Sequence, residues 1–174
     1  MILDKIKARG DELAMLQGHD RLQYLVDLAR EVEPLNEKDK IEENKIRGCA
    51  SNLWVTGKQN KDGTVEYKHD GDAWITKGTA KVIVDLVNGE HKSSIAHLTL
   101  DSFKPLGIRE LLTMQRQVGF GSLIERIIGI AKHGWYARSI NKSIYGVFQS
   151  KWNFWKPCIV QNPQSKPEMA QRNT

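Results

Sequence analysis

The chain has 174 residues, of which 40% are hydrophobic and 27% charged, a balance typical of one globular domain with an apolar core. No apolar run reaches the roughly 18–20 residues that a membrane-spanning helix needs, and the first residues lack the pattern of a secretory signal. With two cysteines, Cys49 and Cys158, we expect no disulfide framework and a reducing, cytoplasmic location.

The positive net charge is concentrated in the C-terminal part. Residues 1–132 contain 20 Lys and Arg against 20 Asp and Glu, whereas residues 133–174 contain six basic residues and one acidic residue. We therefore predict a main domain over residues 1–132 and a basic, Trp-containing, poorly ordered tail over residues 133–174. Such a tail could bind single-stranded nucleic acid, but six cations over 42 residues argue against that alternative.

Two helices are predicted before the first cysteine. An amphipathic stretch from Leu3 to Leu16 predicts the first. Asp20 and Gln23 form a capping-box pattern that predicts the start of the second, and Pro34 predicts its end. The charged segment 36–46 then predicts an exposed approach to the cysteine.

A β-hairpin is predicted after residue 50, where the periodicity changes from helical to alternating. Apolar and polar residues alternate from Leu53 to about Lys58. Asp62-Gly63 supplies a typical hairpin turn, and Val65 and Tyr67 continue the alternation on the return strand.

Helical patterns occupy the rest of the main domain. Asp70-Gly71-Asp72 predicts the end of the strand and a cap for a helix that Asn88-Gly89 ends. Short helical turns are predicted near residues 94–98 and 102–106. Apolar residues from Phe120 to Ala131 recur at steps of three and four, which predicts a long helix facing the core. Helices packed with a small antiparallel hairpin sheet make an α+β fold.

Cys49 is the strongest candidate for chemistry. Gly48 lets the backbone bend, the charged segment before it favours exposure, and Arg47 could stabilise a thiolate. Such a thiolate could attack the outer sulfur of a donor persulfide, but the same pattern equally describes a small buried hydrophobe at the start of a strand. No further ligands stand at metal-binding spacing, so we predict no metal site and no bound cofactor.

Several motifs in order resemble the SufE family of cysteine-desulfuration proteins. Residues 48–54, Gly-Cys-Ala-Ser-Asn-Leu-Trp, are similar to its Gly-Cys-x-Ser-x-hydrophobic-Trp signature. Asp70–Ala73 before a helix and the stretch Phe103–Leu112 follow in the family's order. Thr113–Gly119 is similar to its Pro-Ser-Arg-x-x-Gly element, with Met-Gln in place of Pro-Ser. The resemblance covers roughly residues 3–132.

The resemblance implies an IscU-like fold and an accessory protein without independent turnover. It implies that Cys49 takes persulfide sulfur from a pyridoxal-phosphate cysteine desulfurase of the SufS or CsdA type, stimulates that enzyme, and passes the sulfur to a SufBCD-like iron–sulfur scaffold. Arg116 matches the family's arginine near the cysteine loop, where it could hold a thiolate or persulfide. Asp72 matches an acidic, partner-facing residue. An ordinary helix-start cation and a simple N-cap are the alternative interpretations of these two residues.

Two further expectations concern the site. An iron–sulfur scaffold like IscU is an alternative function, although it needs about three or four ligands around one site. A carrier must both shelter and present its sulfur, which predicts a two-state loop hinged at Gly48 and sheltered by apolar residues such as Leu106 or Ile108. Trp54 and Trp74 are expected in the core.

Overall fold

The structure, a computed structural model, describes residues 1–49 and 51–134. Its helices and strands, in chain order, are α1 (Ile2–Ala14), α2 (Gly18–Arg30), β1 (Leu53–Gln59), β2 (Val65–Gly71), α3 (Trp74–Val87), α4 (Lys92–Ala96) and α5 (Met114–His133). Short 3-10 turns lie at Glu37–Asp39, Glu42–Asn44, Leu100–Leu106 and Arg109–Leu111. The predicted α+β class is confirmed. The predicted tail lies outside the described residues from residue 135 onward.

The predicted hairpin is present. Strands β1 and β2 pair antiparallel, with Leu53 opposite Gly71 and Gln59 opposite Val65. In the turn, Gly63 has a φ of +84°, which glycine adopts without steric cost. Asp62 Oδ1 accepts a hydrogen bond from the backbone N–H of Thr64 at 3.0 Å.

Helix α5 is joined to the sheet through its second half. The hydroxyl of Tyr67 donates to the carbonyl of Ile127 at 2.9 Å. Gln59 Nε2 donates to the carbonyls of Ile130 and Ala131 at 3.0 and 2.9 Å, which satisfies acceptors that a helix end leaves free. The first half of α5 is therefore held beside the start of β1. The predicted apolar stripe faces the core at Phe120, Leu123, Ile124, Ile127 and Ala131. Ile128, also predicted, is only partly buried, and Ile130 is buried instead.

Helices α2 and α3 pack at very close range. A Cβ on Gly78 would lie 1.7 Å from the carbonyl oxygen of Leu25, so only glycine allows this approach. Leu25 and Ala29 are fully buried on the facing side of α2. None of the helices within the described ranges is long and apolar enough to cross a membrane.

Both predicted helix caps are wrong. Helix α2 begins at Gly18 because Gln17 is the extended residue before it and accepts from the N–H of Arg21 at 2.8 Å. Asp20 instead lies in the first turn, where its charge favours the helix dipole. Helix α3 starts after Ala73 with no side-chain cap, and Asp72 has different partners.

The segment before the cysteine is less exposed than predicted. Asn44 and Ile46 are each 3% exposed. Arg126 Nη2 on α5 donates to Asn44 Oδ1 at 3.3 Å, and the N–H of Ile46 donates to the carbonyl of Leu53 at 2.7 Å. Glu42, Glu43 and Arg47 around them are exposed, but the segment is bound to α5 through the side chain of Asn44 and to β1 through the backbone of Ile46.

Candidate functional site

Cys49 lies on a short excursion of the chain between Ile46 and Leu53; its described residues, 47–49 and 51–52, are called the Cys49 loop. Its two ends are adjacent because Lys45 and Trp54 form an antiparallel bridge, next to the bond between Ile46 and Leu53. At its tip Gly48 has a φ of +83°, a conformation that costs other residues about 1–2 kcal/mol. The fold thus fixes both ends of the loop, and a glycine adopts the left-handed conformation at its tip.

The sulfur of Cys49 rests directly on the backbone of α5. A Cβ on Gly119 would lie 2.2 Å from Cys49 Sγ and 3.2 Å from its Cα, so any side chain at that position would collide with the cysteine. Beside it, a Cβ on Gly48 would lie 2.8 Å from Cγ1 of Val118. The loop is therefore seated on one turn of α5.

A small cavity opens beside the cysteine. Its free volume is about 20 Å³, which is enough for one water-sized atom. The wall is mainly apolar, and Arg116 is a charged residue in its lining. Leu106 and Ile108, expected as the shelter, are buried in the core and do not line it. The lining residues are Cys49, Leu53, Thr76, Thr79, Leu112, Arg116, Gly119, Phe120 and Leu123.

Burial controls the charge state of the thiol. Desolvation raises the pKa of Cys49, so the neutral thiol predominates at neutral pH and its nucleophilicity is low. Arg47 and Gly48 are exposed. We expected Arg47 to favour the thiolate, but in this conformation the effect of burial prevails.

The chain just after Cys49 is held by side chains of the neighbouring helix start. Ser51 Oγ and Thr76 Oγ1 share a hydrogen bond of 3.0 Å. The carboxylate of Asp72 accepts from the backbone N–H of Asn52 at 3.0 Å and from its Nδ2 at 2.7 Å. Asp72 is exposed, and it fixes the exit of the Cys49 loop instead of capping α3.

Sequence reasoning missed the two threonines of α3. Thr76 and Thr79 stand three residues apart, hence on one helix face, and both line the cavity. Two hydroxyls at helical spacing near the start of α3 were the available signal. Trp74, expected in the core, is 53% exposed, and its ring centroid lies 5.2 Å from Nζ of Lys77. Trp54 is only partly buried.

The cavity wall contains no histidine among the described residues. His69 is buried on β2, where desolvation lowers its pKa to about 4, so it is neutral at physiological pH. Within residues 1–49 and 51–134, no three His, Cys, Asp or Glu side chains are grouped so that they could hold a metal ion.

The family is decided by comparison with known sequences. The SufE family model, described as an Fe-S metabolism associated domain, matches residues 8–131. The chain belongs to the SufE family. An uncharacterized SufE-like protein of Rhizobium meliloti is 32% identical over 123 residues, which cover 67% of this chain and 87% of that protein. One of Rhizobium etli is 32% identical over 117 residues, covering 65% and 79%. The motif resemblance is thus confirmed, and the chain has a role in iron–sulfur metabolism.

A solved structure has the same fold. The solution structure of a hypothetical protein from Thermus thermophilus matches with a TM-score of 0.63 and 19% identity. The match covers 75% of this chain and 95% of that one. At this identity the likeness bears on fold alone, and the SufE-like α+β arrangement agrees with it.

Proposed function

We propose that this SufE-family protein is a sulfur carrier. Cys49 accepts persulfide sulfur from a pyridoxal-phosphate-dependent cysteine desulfurase, which it thereby stimulates, and passes it on for iron–sulfur cluster assembly. The observation that carries the proposal is the seat of Cys49 Sγ on Gly119 at the edge of a small cavity. A carrier needs one thiol that can be sheltered and presented in turn, and this seat provides the shelter.

The transfer step is an exchange at sulfur. Deprotonated Cys49 attacks the outer sulfur of the donor's cysteine persulfide. A new S–S bond forms on Cys49, the S–S bond of the donor breaks, and the donor's thiolate leaves and takes up the proton. The sulfur atom changes hands without any external oxidant or reductant.

The attack requires a second state of the Cys49 loop. In the seated state, burial raises the pKa of Cys49 and keeps the thiol protonated. Movement of the tip about Gly48 would return the sulfur to water and lower that pKa, while Asn52 stays held by Asp72. The outward state is a minor one, so the desulfurase must stabilise it by binding it preferentially. The enzyme therefore meets an activated thiol only when it is docked.

The return movement would protect the cargo. A persulfide in solvent is exposed to reductants and to further oxidation. The cavity of about 20 Å³ has room for one additional atom beside Sγ. Arg116 also lines the cavity, so a positively charged residue belongs to the same wall. This supports a role for Arg116 in holding the sulfur.

The proposal makes the protein an accessory factor instead of an independent enzyme. The desulfurase performs the C–S bond cleavage, and a SufBCD-like scaffold is the proposed recipient. An iron–sulfur scaffold function is the alternative to test. Reconstitution with iron and sulfide would give a cluster absorbance spectrum in a scaffold and none in a carrier.

Intact mass measurement tests the proposal directly. After incubation with a desulfurase and cysteine, the chain should gain sulfur on Cys49. A Cys158→Ser variant should gain it equally, whereas Cys49→Ser should gain none and should not stimulate the enzyme. Sulfur uptake and stimulation by Cys49→Ser would contradict the proposal.

A further inference from the structure

Thr79, one of the residues that line the cavity, has a buried hydroxyl. Thr79 is 4% exposed, and its Oγ1 has no hydrogen-bond partner among the described residues. Buried hydroxyls are normally paired, because an unpaired one loses its bonds to water without replacement. Thr79 is one of the residues that line the same small space as Cys49, which makes a group beside the sulfur a candidate for the missing partner of its hydroxyl.

The neighbouring threonine is already paired. Thr76 Oγ1 shares its hydrogen bond with Ser51 Oγ at 3.0 Å and so helps to hold the Cys49 loop. The two hydroxyls of α3 therefore differ: that of Thr76 holds the loop, and that of Thr79 has no partner among the described residues.

The occupant that fits is one anionic sulfur atom. The outer sulfur of a persulfide ionises more readily than a thiol, and a buried anion needs hydrogen-bond donors and a counter-charge. The free volume of about 20 Å³ admits one such atom beyond Cys49 Sγ. Four of the nine lining residues are leucine or phenylalanine; Arg116 is a cationic residue among the others, and Thr79 has an O–H donor without a partner among the described residues.

We infer that the Thr79 hydroxyl donates a hydrogen bond to the outer sulfur of the Cys49 persulfide and holds it in the cavity. Thr79 is thus a positioning residue for the cargo. The inference rests on the proposed carrier function, and it extends that function by assigning a sulfur-binding site to a residue of α3.

The test compares three substitutions in the full chain carrying Cys158→Ser. Thr79→Val removes the hydroxyl and keeps the shape, and Thr79→Ser keeps the hydroxyl. Thr56→Val makes the same chemical change on β1, where the side chain does not line the cavity. Each protein is loaded on Cys49 with inorganic polysulfide: the thiolate attacks a terminal sulfur, one S–S bond breaks, and the shortened polysulfide leaves. A parallel sample is loaded by a desulfurase with cysteine.

The readout is the lifetime of the persulfide in the presence of dithiothreitol, followed by intact mass. Loss of one hydrogen bond to an anion should shorten the lifetime in Thr79→Val roughly tenfold. Thr79→Ser should restore a long lifetime, and Thr56→Val should match the parent. The melting temperature of each variant, measured on the unloaded chain, separates a local effect from a change in folding.

Three results would overturn the inference: an unchanged lifetime in Thr79→Val, a lifetime in Thr79→Ser as short as in Thr79→Val, or a parent chain on which polysulfide forms no Cys49 persulfide. Failure of the proposed function has a different signature. In that case polysulfide loads Cys49 and the Thr79 effect is present, but the desulfurase transfers no sulfur.

Discussion

The two flanks of Cys49 are held in different ways. On the exit side, Asn52 is bound by the carboxylate of Asp72 through two hydrogen bonds, and Ser51 is bound by Thr76. On the entry side, the last fixed residue is Ile46, after which Arg47 and Gly48 are exposed. From this comparison we propose that the tip swings about Gly48 while the exit stays attached to the fold.

A third feature decides where the tip rests. Cys49 Sγ occupies space that only a glycine at position 119 leaves open. The surface on which Cys49 rests, which we call its seat, is thus the backbone of α5 at Gly119. If this account is correct, changes to the seat, to the entry flank and to the exit flank should have separable effects on the reactivity of Cys49 and on stability.

The largest effect is expected from Gly119→Ala. The new Cβ would fall 2.2 Å from Cys49 Sγ, so the cysteine must leave its seat. Relief from burial should lower the pKa of Cys49, and the rate of alkylation by iodoacetamide at neutral pH should rise about tenfold or more. Gly121→Ala is the matched control on the same helix, because its Cβ would meet nothing within 4 Å. Equal alkylation rates in the two variants would show that Gly119 does not form the seat.

A smaller effect is expected from Gly48→Ala on the entry flank. Its φ of +83° strains any residue with a Cβ, and the contact with Val118 adds to the strain. The free energy of unfolding in urea should fall by about 1–2 kcal/mol, and alkylation of Cys49 should become faster. Gly89→Ala provides the control: its φ is +75° with open space around it, so stability should fall without a change at Cys49. A Gly48→Ala protein with unaltered alkylation would contradict the assignment of Gly48 as the hinge.

The smallest effect is expected from Asp72→Ala on the exit flank. Asn52 would lose two hydrogen bonds that are exposed to solvent, so stability should fall by about 1 kcal/mol. Alkylation of Cys49 should rise only a few-fold, since the seat on Gly119 is intact. Glu66 is an exposed acidic residue on β2, and Glu66→Ala should leave both quantities unchanged. An alkylation rate as high as in Gly119→Ala would mean that the exit flank, not the seat, holds the cysteine.

Most of the fold follows from local patterns. The Asp62-Gly63 turn and the apolar stripe of α5 were predictable because turn chemistry and helical periodicity are encoded by neighbours in sequence. The predicted caps at Asp20 and Asp72 were wrong because a suitable residue type does not determine where the backbone turns helical. The N-cap residues are Gln17 and Ala73. For Asp72 the competing partner, Asn52, is twenty residues away.

The site was less predictable than the fold. The motif indicated Cys49 and Arg116, which the fold brings to one cavity. The contact between Gly119 and the sulfur of Cys49 could not be deduced from spacing. About seventy residues separate the two positions, and the contact depends on how α5 lies against β1. The role of Thr79 could not be deduced from the sequence for the same reason: it depends on which residues surround the hydroxyl in the folded chain.

The most direct test of the central claim is the alkylation rate of Cys49 in the resting chain and in its complex with a desulfurase. The chain carries Cys158→Ser, the enzyme has its persulfide-forming cysteine replaced, and a peptide of residues 44–54 serves as the exposed reference. The account predicts slow alkylation in the free protein and a marked acceleration on binding. Alkylation of the free protein as fast as that of the peptide would contradict it, because the thiol would then need no partner to present it.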